Sequence, residues 1–253
     1  MKSLTEIRAL FNTLESEQEL NAFIDEFGSD GRVGVGRLTD KARKKITDID
    51  KEKARTHNMY HYERENIAFS PLCGIDEVGR GPLAGPVYAA AVILPQHNEL
   101  LYLNDSKQLS EKRREELYDV IMEKAIAVGI GHVSPQRIDE INILQATYEA
   151  MTMAVKSLMV SPKALLIDAV HIPQLEEIRQ ISIVKGDTKS ASIAAASIIA
   201  KVTRDRVMKD LSDRYPQYNF ASNKGYGSQE HIEAIKKFGL CEIHRRSFTG
   251  NFV

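Results

Sequence analysis

Cysteine is scarce in this sequence, since only Cys73 and Cys241 occur among 253 residues, far apart and outside any CxxC pair. A disulfide framework or a cysteine-based zinc cluster is therefore disfavoured, and a reducing, cytoplasmic location is expected. No apolar run approaches the ~18 residues of a membrane-spanning helix. Charges interrupt the N-terminal segment every few residues, so we expect neither a secretory signal nor a membrane association.

Three common catalytic motifs are also missing. The sequence has no GxxxxGK[ST] phosphate loop, no GxSxG nucleophile elbow and no HExxH zinc-binding helix. These absences argue against a P-loop nucleotide hydrolase, an α/β-hydrolase and a zinc hydrolase.

Charge is unevenly spread, although the formal net charge is only −1. Residues 185–253 contain 12 Lys/Arg and 7 Asp/Glu, a balance of +5, and the preceding residues carry −6. A basic C-terminal third suggests a face that binds a polyanion, because neutralised phosphates release counterions. The alternative is a charged face that is merely solvated.

Residues 1–65 predict a small, mainly helical accessory element. The stretches "SLTEIRALFNTL" and "EQELNAFIDEFGSD" have helical apolar spacing, and Ser3 with Glu6 is placed for a capping box. The glycine-rich "DGRVGVGRL" predicts a short turn or hairpin, followed by a helix of mixed charge. Basic residues of that helix are Lys41, Arg43, Lys44, Lys45, Lys51, Lys53 and Arg55. They indicate either an accessory nucleic-acid contact or a solvated helix face.

Residues 70–253 predict an α/β domain. Five strands are expected in "LCGIDEV", "PVYAAAVILP", "AIAVGIGHV", "ALLIDAV" and "ISIVKGD". Helices are expected over 110–124, after Ser134-Pro135, in "SASIAAASIIAKVTRDRVMKDL" and from Ser228 to Gly239. Early strands can pair antiparallel and later ones need crossovers, which predicts a mixed five-stranded sheet flanked by helices, with a helical C-terminal region.

Four acidic residues stand at the ends or in the interior of these predicted strands, where carboxylates are costly to bury. They are Asp76, Glu77, Asp168 and Asp187. Such a set suggests a shared cation, and Mg²⁺ or Mn²⁺ takes all-oxygen ligands of this kind. Two ions ~3.5–4 Å apart can activate a water and stabilise the leaving oxygen of a phosphodiester. The set therefore predicts phosphodiester hydrolysis.

Local sequence leaves an alternative for three of these acids. Asp187 can be the N-cap of the following helix, and Asp168 can accept main-chain N–H groups in a turn. Glu77 can face solvent, because adjacent strand residues point to opposite faces. If Glu77 does reach the site, the strand must bend there or Glu77 must offer its main-chain carbonyl. Gly79 and Gly81 give the chain that freedom.

Six motifs, in order, carry a family resemblance. They are "GIDEVGRGPLAGPVYAAAVILP", "NDSKQLSEKRREEL", "ALLIDAVHIP", "IVKGDTKSASIAAASIIAKVTRDRVM", "YPQYNFASNKGYGSQEH" and "HRRSF". Over about residues 70–250 the chain resembles bacterial ribonuclease HII, a type 2 ribonuclease H. The resemblance implies a ribonuclease H-like fold and an endonuclease that hydrolyses the RNA strand of RNA–DNA hybrids. It also implies nicking of duplex DNA at embedded ribonucleotides, which leaves 3′-hydroxyl and 5′-phosphate ends.

The same resemblance implies cofactors, residues and a cellular role. Family members work with Mn²⁺ or Mg²⁺, and their catalytic, metal-binding acids match Asp76, Glu77, Asp168 and Asp187. The ribose-reading motif of the family matches Gly79, Arg80 and Gly81, and its junction-sensing tyrosine matches Tyr226 in "KGYGS". We expect a monomer that acts in ribonucleotide excision repair and DNA replication. We expect Asp76 to bridge both ions, with Asp168 and Glu77 on one ion and Asp187 on the other.

These recognition roles are physically reasonable. The 2′-hydroxyl is what distinguishes RNA from DNA, and two glycines let main-chain groups approach the sugar. Arg80 can fork onto a phosphate, and Tyr226 can stack on the next sugar. The alternatives are a plain turn for Gly-Arg-Gly and a half-buried aromatic for Tyr226.

Further candidate phosphate contacts are Lys107, Lys185, Lys201, Arg245 and Arg246. Each can equally form a surface ion pair worth ~0–1 kcal/mol. No catalytic role is assigned to His171, His231 and His244, because a metal-activated water needs little help from a general base.

Two rival functions remain open to this sequence. Another nuclease of the same superfold, of the resolvase or integrase type, would also use clustered acids, but it has no reason to carry the Gly-Arg-Gly and tyrosine pair. A non-catalytic nucleic-acid-binding module is disfavoured, because carboxylates without a cation repel phosphate.

Overall fold

The computed structural model describes residues 2–96 and 99–252. The chain divides into two compact units, Met1–His57 and Asn58–Val253. Each unit has a hydrophobic core of its own. Within the described ranges, no helix combines the length and the apolarity needed to cross a membrane.

In its described part, the first unit is built by three helices. They are α1 (Leu4–Asn12), α2 (Glu17–Phe27) and α3 (Val33–Met59). Ser3 begins α1 with the expected capping box, and Ser16 does the same for α2, so both helix starts satisfy free main-chain N–H groups. Ile7, Leu20 and Phe23 are among the buried side chains of the core.

The prediction of a turn or hairpin in "DGRVGVGRL" is wrong. α3 begins within that stretch, at Val33. Val35, Leu38 and Ala42 recur at helical spacing and are buried in the core of the first unit. Their burial outweighs the helix cost of the glycines, which is about 1 kcal/mol each relative to alanine.

The second unit contains the predicted mixed sheet of five strands. They are β1 (Leu72–Val78), β2 (Val87–Ile93), β3 (Ala127–Val133), β4 (Ala164–Asp168) and β5 (Arg179–Ile183). Their spatial order is β3-β2-β1-β4-β5. The first three strands pair antiparallel, and β1, β4 and β5 pair parallel. The predicted fold class is therefore confirmed.

The second unit also contains α-helices. They are α4 (His61–Glu65), α5 (Glu111–Lys124), α6 (Pro135–Lys156), α7 (Ala191–Arg214), α8 (Phe220–Asn223), α9 (Gln229–Phe238) and α10 (Arg246–Thr249). α6 packs in one core layer with residues of β1 to β4. α7 packs with α5 and the opposite face of β2 in a second layer.

The region between β5 and α7 differs from the prediction. β5 ends at Ile183, and Asp187 lies in a 3₁₀ turn, Gly186–Thr188. Asp187 is not the N-cap of the long helix, because the Ser190 side chain accepts the N–H of Ile193. Helix capping therefore does not explain the position of Asp187.

Residues just after the boundary between the units belong to the core of the second. Tyr60 is 2% exposed and Glu63 is 8% exposed. Glu63 Oε1 accepts three hydrogen bonds at the start of α7, from Ser190 Oγ at 2.6 Å and from Ser192 N and Oγ at 2.9 and 2.6 Å. Glu63 thus acts as an additional cap for α7.

Glu63→Ala should lower the free energy of unfolding by about 2–3 kcal/mol, because three buried donors lose their shared acceptor. The melting temperature should fall by roughly 5–10 °C in a calorimetric scan. Glu65→Ala is the matched control, since Glu65 lies on the same helix and the only close polar contact of its side chain among the described residues is the exposed His61 side chain. Equal stability of the two variants would contradict the capping role.

Candidate active site

The ends of two neighbouring strands bring Asp76 and Asp168 side by side. β1 and β4 are parallel, and their register pairs Ile75 with Ile167. Asp76 and Asp168 are the next residues on the two strands. Because neighbouring strands are about 4.8 Å apart, two like charges meet at one edge of the sheet.

Asp76 is buried in a setting that opposes its ionisation. Burial raises the pKa of Asp76 well above its ordinary range, and the charges of Glu77 and Asp168 raise it further. The Ser197 hydroxyl and the main-chain N–H of Glu77, 2.8 Å from Asp76 Oδ1, donate hydrogen bonds that oppose the shift. These neutral donors orient the carboxylate but do not cancel its charge.

Glu77 directs its side chain towards the same cluster. Glu77 Oε1 lies 3.6 Å from Arg80 Nη1. Burial raises the pKa of Glu77, Arg80 lowers it and Asp168 raises it again. Both neighbours are therefore within electrostatic reach of the carboxylate, which favours the side chain over the main-chain carbonyl as the group that faces the site.

Asp187 reaches the cluster through a turn rather than a strand. Asp168 Oδ1 accepts the N–H of Gly186 at 2.8 Å, which holds that turn against the end of β4. Burial raises the pKa of Asp187, and the charges of Asp105 and Asp168 add to the rise. Asp105 was not predicted, because it stands in a loop and carries no strand-end signal. Its place two residues before Lys107, inside a family motif, was the available clue.

Lys107 supplies positive charge to this cluster. Lys107 Nζ lies 4.0 Å from Asp187 Oδ2, and the side chain is largely exposed. Partial burial lowers the pKa of Lys107, but the surrounding carboxylates outweigh that effect and raise it. Lys107 therefore stays charged and offsets part of the repulsion among the acids.

The predicted acids have the oxygen ligands that a divalent ion prefers, but their side chains are not arranged closely enough to bind one. Within residues 2–96 and 99–252, no three Asp, Glu, His or Cys side chains converge closely enough to hold an ion as they stand. Oxygens of Asp76 and Asp168 accept main-chain N–H groups instead, and like charges repel each other. All-oxygen donors of this kind fit a hard cation, which would relieve the repulsion.

Arg204 holds the segment between β1 and β2 in place through hydrogen bonds to main-chain carbonyls. This residue is fully buried on α7. Its guanidinium donates to the carbonyls of Pro86 at 2.9 Å, Lys224 at 3.0 Å and Ala84 at 3.2 Å. No sequence pattern indicated this role, since "KVTRDR" has the composition of an ordinary charged helix.

Arg245 holds the other part of the same segment, and its prediction as a phosphate contact is wrong. It is fully buried and donates to the carbonyls of Gly79 at 2.6 Å, Arg80 at 2.9 Å and Gly85 at 2.9 Å. Burial and the nearby Arg204 lower the pKa of Arg245 to about 9. The charge of an arginine does not reveal whether its side chain is buried, so the sequence did not predict the burial of Arg245.

Gly79 and Gly81 meet different structural requirements. Gly79 has φ +93°, and a Cβ there would lie 2.3 Å from Arg204 Nε, so the fold itself demands glycine. At Gly81 a Cβ would meet only Tyr226 Cε1, at 3.8 Å, an ordinary contact. Packing therefore does not explain why residue 81 is a glycine. The missing side chain of Gly81 leaves open space beside the half-exposed ring of Tyr226.

The remaining predicted phosphate contacts differ in how free their side chains are to bind a phosphate. Lys185 is exposed and has φ +57° between β5 and the turn of Asp187. Lys201 Nζ is engaged by Asp205 Oδ1 at 2.8 Å. Arg246 exposes its side chain, while its main-chain N–H bonds Asp139.

Comparison with known proteins identifies a family for both parts of the chain. The family described as Ribonuclease HII matches residues 73–251, and the Ribonuclease HII N-terminal domain matches residues 3–66. A ribonuclease HII of Lachnoclostridium phytofermentans is 58% identical over 90% of this chain and 89% of its own length. One of Clostridioides difficile is 48% identical over 100% of this chain and 99% of its own.

A solved structure extends the similarity to the fold. The ribonuclease H2 of Pyrococcus horikoshii is 29% identical, with a TM-score of 0.59 over 72% of this chain and 98% of its own. The chain therefore belongs to the ribonuclease HII family, the ribonucleases H that act as endonucleases on RNA–DNA hybrids.

Proposed function

We propose that this chain cleaves RNA strands of hybrids, and duplex DNA at single embedded ribonucleotides, by two-metal-ion phosphodiester hydrolysis. The products would carry 3′-hydroxyl and 5′-phosphate ends. The observation that carries the proposal is the gathering of Asp76, Glu77, Asp168 and Asp187 at one edge of the sheet, with burial raising the pKa of three of them. Carboxylates in this condition are typical of a cation site.

The metal ligands of the proposal are Asp76, Glu77, Asp168 and Asp187. Two Mg²⁺ or Mn²⁺ ions bound by these oxygens would supply the Lewis acidity for attack on the phosphorus and departure of the leaving oxygen. The protein contributes orientation: Ser197 holds Asp76, and the Gly186 N–H holds Asp168. Such hydrogen bonds fix the ligands before an ion arrives.

Recognition of the ribose is proposed for the space beside Gly81 and Tyr226. With no side chain at Gly81, a sugar can approach the main chain, whose N–H and C=O groups can pair with a 2′-hydroxyl. The Tyr226 ring can stack on the next sugar. Arg80, Lys107 and Lys185 are exposed and serve in the proposal as contacts to the phosphates on either side.

The proposed setting follows from this chemistry. A nuclease that cuts at embedded ribonucleotides serves ribonucleotide excision repair and DNA replication, and we assign it to the cytoplasm as a monomer. Residues 1–65 are proposed as an accessory element to the catalytic domain of residues 70–253, although Tyr60 and Glu63 near its end pack with the second unit.

Asp76→Asn should reduce cleavage by about 10³-fold or more, several kcal/mol of lost transition-state stabilisation. Hybrid binding, measured by fluorescence anisotropy, should survive. The melting temperature in EDTA should rise, because a carboxyl whose pKa is raised by folding destabilises the fold at neutral pH. Each 1 kcal/mol of relief corresponds to roughly 2–4 °C.

Asp210→Asn is the matched control for this substitution. Asp210 is exposed on α7, so its neutralisation should change neither cleavage nor melting temperature. Near-normal turnover by Asp76→Asn would contradict the assignment of the catalytic acids.

Gly81→Ala and Gly79→Ala should separate recognition from folding. Gly81→Ala should keep stability within about 0.5 kcal/mol, yet lower kcat/KM on a single-ribonucleotide duplex at least about tenfold, because the methyl group blocks the sugar. Gly79→Ala should lose about 1–3 kcal/mol of stability through strain and the clash with Arg204. Full activity of Gly81→Ala would refute the proposed approach of the ribose.

A basic stripe on α3 supports a nucleic-acid contact for the accessory element. Arg37, Lys41, Lys44 and Lys51 share one helix face by spacing and are exposed. None has an ion-pair partner within the described residues, whereas other basic residues of α3 do, such as Arg43 with Asp40. The stripe is therefore free to meet phosphates.

Replacing these four residues with glutamine should raise KM on long hybrids and flatten its salt dependence. The log–log slope should fall by up to about one for each phosphate that the variant no longer neutralises. Exchange of the paired Lys2 and Arg43 for glutamine is the control and should have little effect. Unchanged KM and salt slope in the fourfold variant would exclude binding of nucleic acid by the stripe.

A further inference from the structure

Two buried histidines form a chain of hydrogen bonds that ends at Tyr226. His231 Nδ1 lies 2.8 Å from the main-chain oxygen of Tyr226, and His231 Nε2 lies 3.0 Å from His244 Nε2. His244 Nδ1 in turn accepts the main-chain N–H of Cys241 at 3.0 Å. The catalytic scheme above uses neither histidine.

The ends of this chain determine where its protons lie. A carbonyl only accepts, so His231 Nδ1 carries a hydrogen, and a main-chain N–H only donates, so His244 Nδ1 carries none. With both rings neutral, His231 Nε2 is an acceptor and His244 Nε2 a donor, and every contact is satisfied. An added proton would bring two N–H groups face to face. The geometry therefore selects one neutral pair of tautomers.

The surroundings of the rings favour this neutral pair. His231 is 0% and His244 is 3% exposed, and the Tyr218 ring packs 4.8 Å from the His244 ring. Burial lowers the pKa of His231, and burial with the neighbouring His231 lowers the pKa of His244 to about 4. The titratable groups that face the pair are Tyr218 and Cys241.

The other end of the pair joins the segment that holds Gly-Arg-Gly. His244 bridges Ala84 as an isolated antiparallel pair, and its neighbour Arg245 donates to the carbonyls of Gly79 and Arg80. One short C-terminal stretch therefore touches both recognition elements, the tyrosine through the imidazole pair and the glycine loop through the guanidinium.

We propose that His231 and His244 are positioning residues for substrate discrimination, which fix Tyr226 opposite the Gly79–Gly81 segment. The inference rests on the proposed function, because it assumes that Tyr226 reads the ribonucleotide junction. The Ser228 N–H also bonds the Tyr226 carbonyl at 2.8 Å, so the turn persists without the histidines. What the pair adds is a link between the tyrosine and the loop it faces.

The test compares kcat/KM on a duplex with one embedded ribonucleotide with kcat/KM on an all-RNA hybrid. His231→Leu and His244→Leu should lower this ratio about tenfold. A small displacement of the Tyr226 ring is enough to cause a loss of that size. Tyr226→Ala should lower it at least as far. In the Tyr226→Ala background, His231→Leu should change the ratio no further, because both act through one ring.

Two further variants separate positioning from stability. His231→Asn can keep the donor to the Tyr226 carbonyl and should recover part of the ratio, which also provides a variant if His231→Leu fails to fold. Ile235→Val, a buried change on the same helix α9, should lower stability by about 0.5–1.5 kcal/mol and leave the ratio unchanged.

The outcomes are distinguishable. If Tyr226→Ala lowers the ratio but folded His231→Leu and His231→Asn leave it at the wild-type value, only the positioning inference fails. If Tyr226→Ala itself leaves the ratio unchanged, the proposed role of Tyr226 fails and the inference falls with it. A ratio that drops equally in Ile235→Val would reduce the histidines to a purely structural role.

Discussion

Repulsion among the carboxylates at the ends of β1 and β4 is the constraint on which the rest of this structure depends. The strand register alone sets Asp76 beside Asp168, and the turn of Asp187 is bonded against the latter. Burial then denies these charges the screening of water. The sheet thus provides a place where positive charge is needed, and the proposed binding of ions would meet that need, at a cost to the stability of the ion-free chain.

The Gly-Arg-Gly segment, for which ribose recognition is proposed, is stabilised in a different way. Arg204 and Arg245 bond only carbonyl oxygens in the described part of the chain, and neither pairs with a carboxylate. Carbonyl dipoles satisfy the N–H groups without cancelling the charge. Two positive charges thus remain under a loop that is proposed to face a phosphate backbone, where they favour an anion.

Much of the fold was predictable because apolar texture and capping residues act locally. Ser110, Ser134 and Ser228 begin helices where the sequence indicates them, and the strands coincide closely with the apolar runs. The start of α3 was missed, because tertiary burial of Val35 and Leu38 overrode the glycine signal.

The candidate site was predictable only where its residues form a local pattern along the chain. Acids at strand ends stood out, and the family motifs reinforced them. Arg204 and the pairing of His231 with His244 depend on contacts between separate segments, so no local pattern indicated them, and Asp105 was marked only by its place inside a family motif. Arg245 was misjudged for the same reason, since burial is a property of the fold.

The clamp on the Gly-Arg-Gly loop also sets an order of events during synthesis. Arg204 bonds residues 118 and 120 positions earlier in the chain, and Arg245 bonds residues up to 166 positions earlier. On a ribosome, the N-terminal part emerges long before its partners. The loop cannot be locked until Arg245 has left the exit tunnel, so a product truncated before Arg245 would carry the strand of Asp76 without the clamp on the loop that is proposed to choose the substrate.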